Sequence, residues 1–127
     1  MAEPTMGDLM LQAARRDAAA YAALCQHGGI HDSILGFHAQ QGIEKALKST
    51  LFRRGHLVPR THNLGQLLQA LADAGIAAPP HADVIDTLDP YAVQARYGAL
   101  DAGSLDHRDI GVWLIDVLDW AATHKAP

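Results

Sequence analysis

The feature that most constrains the fold is a helical stretch at residues 37–52 that is apolar on more than one side. Its apolar residues are Phe37, Ile43, Leu47 and Leu51, and Ile34 lies just before it. A helix with one apolar stripe lies at a surface, whereas a helix with two stripes is packed from two sides. We therefore expect this stretch to be a central helix with neighbours on both sides.

A line of polar residues runs along the same helix, and it consists of Gln41, Glu44, Lys45 and Lys48. Residues three and four apart share a helix face, so Glu44 is expected to meet Lys48. One interpretation is an internal ion pair beside a solvated edge, and such pairs contribute only about 0.2–0.5 kcal/mol. The other interpretation is a surface that faces a phosphate group or a partner protein.

Helical periodicity and capping residues divide the rest of the chain into further helices, and strand patterns are absent. The first helix is expected at about residues 7–26, ended by Gly28-Gly29, and the central helix extends from a cap at Asp32 or Ser33 to about Arg54. A third helix is capped by Asn63, and a short segment at residues 81–88 is closed by Pro90. The last helix extends from Asp106 to about His124. Residues 91–97 fit either a helical turn or an ordered loop. The expected fold is an all-α, up-and-down antiparallel bundle of four to five helices.

Length, charge and cysteine content limit the class of protein. The chain of 127 residues fits a single domain, with flexible ends expected at residues 1–5 and 125–127. The net charge of -4 provides no overall basic field, so DNA binding is not expected and any RNA-binding role must rest on a local cluster. A single cysteine excludes an intrachain disulfide, and no stretch approaches the roughly 18 apolar residues of a membrane span. We expect a soluble, cytoplasmic protein.

Two short segments could bring charge to a ligand. His62 and Asn63 lie at the expected start of the third helix, where free N–H groups can bind an anion. Alternatively, Asn63 only caps that helix and His62 bonds a backbone carbonyl. Arg96 and Tyr97 could bring a guanidinium and a stacking ring to a nucleotide or to RNA. Alternatively, Arg96 pairs with a carboxylate such as that of Glu44.

One basic cluster stands out, and it consists of Arg53, Arg54, His56, Arg60 and His62. It could follow a phosphate backbone, or it could be a solvated face. The eight histidines do not form a metal-binding pattern, because the chain has no cysteine pair and no His-Glu-x-x-His spacing. No metal or other cofactor is expected.

Four pieces of the sequence, in this order, resemble the HEPN domain family. They are Phe37-His38-Ala39-Gln40-Gln41, Glu44-Lys45-Ala46-Leu47-Lys48, Thr61-His62-Asn63-Leu64 and Val93-Gln94-Ala95-Arg96-Tyr97. The resemblance extends over about residues 8–122, and the branch that it resembles is that of small prokaryotic HEPN proteins paired with minimal nucleotidyltransferases. It implies a helical bundle that forms a homodimer. It also implies a nucleotidyltransferase partner, encoded nearby, in a toxin–antitoxin type pair.

The resemblance also implies a choice of activities. The ribonuclease members of the family carry an arginine and, after four to six intervening residues, a histidine, but no arginine in this chain has a histidine at that offset. The first hypothesis is therefore a partner module that binds a nucleotide or RNA rather than an enzyme. The second is a metal-independent endoribonuclease toxin that uses His62 with Arg96, and the third is a purely structural helical adaptor. The residues expected to bind the ligand are Gln41, Glu44, Lys45, Lys48, His62, Asn63, Arg96 and Tyr97.

Overall fold

The computed structural model describes residues 3–97 and 106–124, apart from the side chains of residues 94–97. In these ranges it contains helices and no strand, which confirms the predicted all-α bundle. The helices are α1 (Met6–His27), α2 (Asp32–Arg53), α3 (Leu64–Asp73), α4 (Asp89–Tyr97) and α5 (His107–Thr123), and a 3-10 turn at Ile85–Leu88 leads into α4.

Helix α2 is the centre of the bundle, because it packs against each of the other four helices. Its residues Ile43, Ala46 and Leu47 have no exposed surface. Small residues complete its buried faces: a Cβ added at Gly36 would lie 2.4 Å from the Tyr91 ring of α4. Ile34 is 45% exposed, so this residue does not extend the buried stripe as the sequence suggested.

Most predicted helix boundaries are confirmed by the caps that the structure shows. Gly28, with a φ of 77°, follows the end of α1, and glycine adopts this conformation without strain. Asn63 Oδ1 accepts a hydrogen bond from the N–H of Gln66 at the start of α3, and Asp106 caps α5. The predicted cap of α2 at Asp32 or Ser33 is wrong.

The cap of α2 is His31, whose Nδ1 accepts a hydrogen bond from the N–H of Ser33 at 3.0 Å. Histidine is not among the residues favoured at this position, so the sequence pointed to the aspartate and serine that follow it.

The prediction that Pro90 closes a segment is also wrong, because α4 begins at Asp89 and continues through Pro90. Proline is tolerated in the first turn of a helix, where its missing N–H has no intrahelical partner to lose. The ambiguity at residues 91–97 is thereby resolved in favour of a helix.

Helix α5 covers one side of α2 with Ile110, Leu114 and Val117, which are all buried. On its outer side Val112 and Ile115 are 46% and 60% exposed. Among the described helices, none is both long enough and apolar enough to span a membrane.

Candidate functional site

A buried carboxylate lies where α2 meets the segment before α3. The side chain of Glu44 is 4% exposed. Its Oε2 accepts a hydrogen bond from Lys48 Nζ at 3.2 Å, and its Oε1 lies 2.9 Å from His62 Nδ1. Removing a carboxylate from water is costly unless the charge is paired and hydrogen-bonded, and here a lysine and a histidine meet both oxygens. The expected pairing of Glu44 with Lys48 is present.

Gln40 fixes the backbone beside this carboxylate. It has no exposed surface, and its Nε2 donates to the backbone oxygen of His62 at 2.5 Å and to Asp89 Oδ1 at 3.3 Å. Its Oε1 accepts a hydrogen bond from Gln41 Nε2 at 2.8 Å, and the same nitrogen lies 3.4 Å from Glu44 Oε1. We refer to Gln40, Gln41, Glu44, Lys48 and His62 as the polar cluster.

The N-terminus of α3 already holds a carboxylate of the chain itself. Asp89 Oδ1 accepts a hydrogen bond from the N–H of Leu64 at 2.8 Å, and Asp89 Oδ2 accepts from Gly65 at 3.4 Å. Asn63 caps the N–H of Gln66. The N–H groups that the sequence offered to an external anion therefore have acceptors within the protein, and an anion at this terminus would compete with Asp89.

His62 is the solvent-facing member of the polar cluster, because its side chain is 72% exposed. The contact of Nδ1 with Glu44 orients the ring and leaves Nε2 for solvent or a ligand. An imidazole held in this way can bind a phosphate oxygen or transfer a proton at Nε2. His62 was expected to bond a backbone carbonyl if it was structural, but its partner is a carboxylate.

Lys45 does not join the polar cluster, although it belongs to the same line in the sequence. Its Nζ lies 2.6 Å from Asp17 Oδ2 on α1, and the other oxygen of Asp17 lies 3.0 Å from His38 Nδ1. The polar line of α2 is therefore divided between two neighbours, α1 and the segment before α3. The sequence analysis missed Asp17 and His38, since their contact depends on how α1 packs against α2.

The basic cluster is only partly available to solvent. Arg53 is 15% exposed, and its guanidinium binds Asp8 Oδ1 at 2.9 Å and the backbone oxygen of His124 at 3.2 Å. Arg54, His56, Arg60 and His62 are exposed. We refer to residues 54–62 as the basic loop.

Two of the expected ligand-binding side chains lie outside the described residues, namely those of Arg96 and Tyr97; their backbone forms the last turn of α4. The remaining six lie on α2 or next to α3, and the structure brings Gln41, Glu44, Lys48 and His62 together. In the described part of the chain, no group of three or more histidine, cysteine, aspartate or glutamate residues is placed to hold a metal ion.

Comparison with known proteins gives one match. A family model described as HEPN domain matches residues 8–117, a span that extends from α1 into α5. No curated protein and no solved structure matches the chain.

Proposed function

Because the chain belongs to the HEPN domain family, we propose that it is the partner module of a minimal nucleotidyltransferase in a toxin–antitoxin type pair. In this proposal the module also contacts the phosphate of a nucleotide or of RNA at His62. The observation that carries the ligand site is that the buried Glu44 holds an exposed histidine of a loop that also carries two exposed arginines.

The geometry favours His62 and the basic loop over the lysines of α2 as the phosphate contact. Lys45 is paired with Asp17 and Lys48 with Glu44, so a ligand would compete with a carboxylate for either ammonium group. In the part of the chain that the structure describes, the exposed Arg54 and Arg60 pair with no carboxylate, so they can supply positive charge to a phosphate without that competition.

Fluorescence anisotropy with two labelled probes, ATP and a short single-stranded RNA, tests the ligand site. We expect at least one probe to bind the wild type with an affinity that falls as the salt concentration rises. The same probe is expected to bind His62→Ala about tenfold more weakly. His27→Ala is the matched control, because His27 is also exposed and its Nδ1 lies against the backbone oxygen of its neighbour Gly28. Equal binding by the wild type and His62→Ala would remove the ligand site from the proposal.

Co-expression with the neighbouring nucleotidyltransferase tests the partner. We expect the two proteins to co-purify as a complex of defined stoichiometry. The absence of a nucleotidyltransferase gene beside this one, or of a complex with its product, would contradict the partner role.

An endoribonuclease is the second candidate, and the contact between Glu44 and His62 favours it. A carboxylate on Nδ1 leaves Nε2 able to move a proton, and Arg96 would stabilise the charge that develops on the phosphorus centre. Cleavage of an RNA pool in the presence of EDTA would support this activity if His62→Ala and Arg96→Ala both abolished it. Absence of cleavage at high protein concentration would reject the endoribonuclease activity. If neither probe bound the wild type either, the structural adaptor would be the remaining hypothesis.

A further inference from the structure

We propose that the tip of the basic loop, around Leu57, is a docking surface for a protein partner that offers an apolar pocket with a rim of carboxylates. The inference rests on the proposed function, since the partner used to test it is the nucleotidyltransferase. It specifies, in addition, which surface of this chain contacts the nucleotidyltransferase and what chemistry that partner must present.

Leu57 is the most exposed large apolar side chain among the described residues. It is 95% exposed, and the next most exposed large apolar side chain in the described ranges is Ile115 at 60%. A single exposed leucine is ordinary on a protein surface, so exposure alone does not indicate a function. The structure on either side of Leu57 distinguishes it from an ordinary surface leucine.

The backbone on both sides of Leu57 is anchored to the bundle. The N–H of His56 donates to the backbone oxygen of Leu51 at 2.9 Å, and Gly55, with a φ of 78°, makes the turn out of α2. On the other side Val58 packs against the core. An anchored backbone loses little conformational entropy on binding, so the loop is already arranged for a partner.

The sequence on both sides of Leu57 carries basic residues and no acidic one. No aspartate or glutamate occurs between Glu44 and Asp73, although the chain as a whole has a net charge of -4. The exposed Arg54, His56 and Arg60 flank the leucine in the sequence. A partner surface complementary to this loop carries carboxylates around the site that receives Leu57.

The aliphatic tip favours a protein over RNA. Leu57 has no π face on which a base could stack, which is the main apolar contact of single-stranded RNA with proteins. Its exposed apolar surface leaves water only when it enters an apolar pocket. A buried apolar anchor inside a charged rim is the usual arrangement of the energetically dominant part of a protein interface.

Titration calorimetry of the purified chain with the purified nucleotidyltransferase tests this surface. We expect Leu57→Asp to weaken binding about tenfold or more, and Arg60→Glu to weaken it and to reduce its dependence on salt. The matched controls are Leu9→Asp and Arg16→Glu, which make the same changes at exposed positions of α1. Both controls are expected to stay within about twofold of the wild type, and thermal unfolding verifies that all four variants are folded.

The outcomes separate this inference from the function on which it rests. If the wild type does not bind the nucleotidyltransferase, both are overturned. If the wild type binds and the two loop variants bind equally well, the loop is not the docking surface but the partner role stands. If Leu9→Asp alone weakens binding, the contact lies on α1. If Leu57→Asp weakens binding of the RNA probe but not of the nucleotidyltransferase, the docking proposal is rejected.

Discussion

Glu44 shows how far one buried charge can determine its surroundings. Its carboxylate is almost fully enclosed, and it holds the ammonium group of Lys48, whose side chain is 13% exposed. Removing one member of a buried ion pair leaves the other charge without a partner, and the resulting loss of stability is larger than the net contribution of the intact pair. The stability of the polar cluster therefore depends on Glu44 and Lys48 being present together.

We predict that Glu44→Gln lowers the free energy of unfolding by about 3 kcal/mol, because Lys48 loses its counterion in a largely buried position. Urea denaturation measures this, and the double variant Glu44→Gln/Lys48→Met is expected to be more stable than the single one. Glu3→Gln, at an exposed glutamate, is the control. A loss smaller than about 0.5 kcal/mol in Glu44→Gln would show that the pair is solvated in solution.

His124 gives the molecule a pH-dependent contribution to stability. Burial, with the Arg54 guanidinium as the second cause, lowers the pKa of His124 from its ordinary value of 6.5. The unfolded chain therefore binds this proton at a higher pH than the folded chain does. The contribution to stability is complete above pH 6.5, and it decreases as the pH falls from there to the pKa of the folded state.

We predict that His124→Asn loses part of the fall in stability between pH 7.5 and pH 5.5, and that Arg54→Gln raises the pKa of His124 toward its ordinary value. Urea denaturation at the two pH values measures the first effect, and NMR titration of the histidine ring measures the second. His27→Asn, at an exposed position, is the control for the substitution itself. An NMR pKa of 6.5 or above for His124 in the wild type would contradict this explanation.

At the scale of single residues, the sequence could predict contacts within a helix but not contacts between helices. The pair Glu44 and Lys48 follows from a spacing of four. The contacts of Glu44 with His62 and of Gln40 with Asp89 join residues that are 18 and 49 positions apart, so they exist only once α3 and α4 have docked. The sequence singled out both His62 and Glu44 as candidates, but it did not predict the hydrogen bond between them.

At the scale of elements, α2 can be central because small residues let its neighbours come close. A Cβ at Gly36 would overlap the Tyr91 ring, and a Cβ at Gly42 would lie 2.8 Å from a methyl group of Leu114. Each glycine reduces the intrinsic stability of the helix by about 0.5–1 kcal/mol relative to alanine. In α2 this loss is offset by the packing that the glycines permit.

We predict that Gly36→Ala destabilises the protein by roughly 1–3 kcal/mol, because the Tyr91 ring must move and α4 must shift with it. Gly111→Ala is the matched control: it is also helical, and its added Cβ would meet Tyr21 at an ordinary distance of 3.7 Å. We expect this control to be neutral or more stable by up to about 1 kcal/mol. Thermal and urea unfolding give both values, and similar losses in the two variants would rule out the overlap at Tyr91.

Helix positions could be predicted more reliably than the identity of particular caps. Apolar periodicity places α1, α2, α3 and α5 to within a few residues, since the buried face of a helix repeats with its turn. The cap at His31 was missed because histidine seldom caps, and α4 was cut at Pro90 because proline is a common helix breaker. In both cases the residue takes a rarer role that its chemistry allows. The ring nitrogen of His31 accepts a hydrogen bond, and Pro90 fits the first turn of a helix.

At the scale of the whole molecule, the outer face of α5 is the surface most suited to self-association. Val112 and Ile115 lie there, beside a cleft of about 430 Å³ between α1 and α5 whose lining includes Tyr21 and Cys25. Burial of such an apolar face between two copies would remove it from water. We predict that the homodimer implied by the family resemblance forms through this face.

We predict that light scattering gives twice the chain mass of 13.6 kDa for the wild type at micromolar concentration. Ile115→Asp is expected to give the mass of one chain, because a carboxylate in the interface must be dehydrated. Leu57→Asp is expected to remain dimeric, since the basic loop is a separate surface. A wild type with the mass of one chain would contradict the dimer.

The shared hydrogen bonding of Gln40 has a consequence for the order in which the protein becomes complete during its synthesis. One amide nitrogen on α2 bonds both the backbone at His62 and Asp89 of α4, and Asp89 also caps the first N–H groups of α3. A nascent chain that extends only as far as α3 lacks this carboxylate, so the first N–H groups of α3 have no acceptor from Asp89 until α4 is made. The junction between the basic loop and α3 is therefore completed only when α4 has been synthesised.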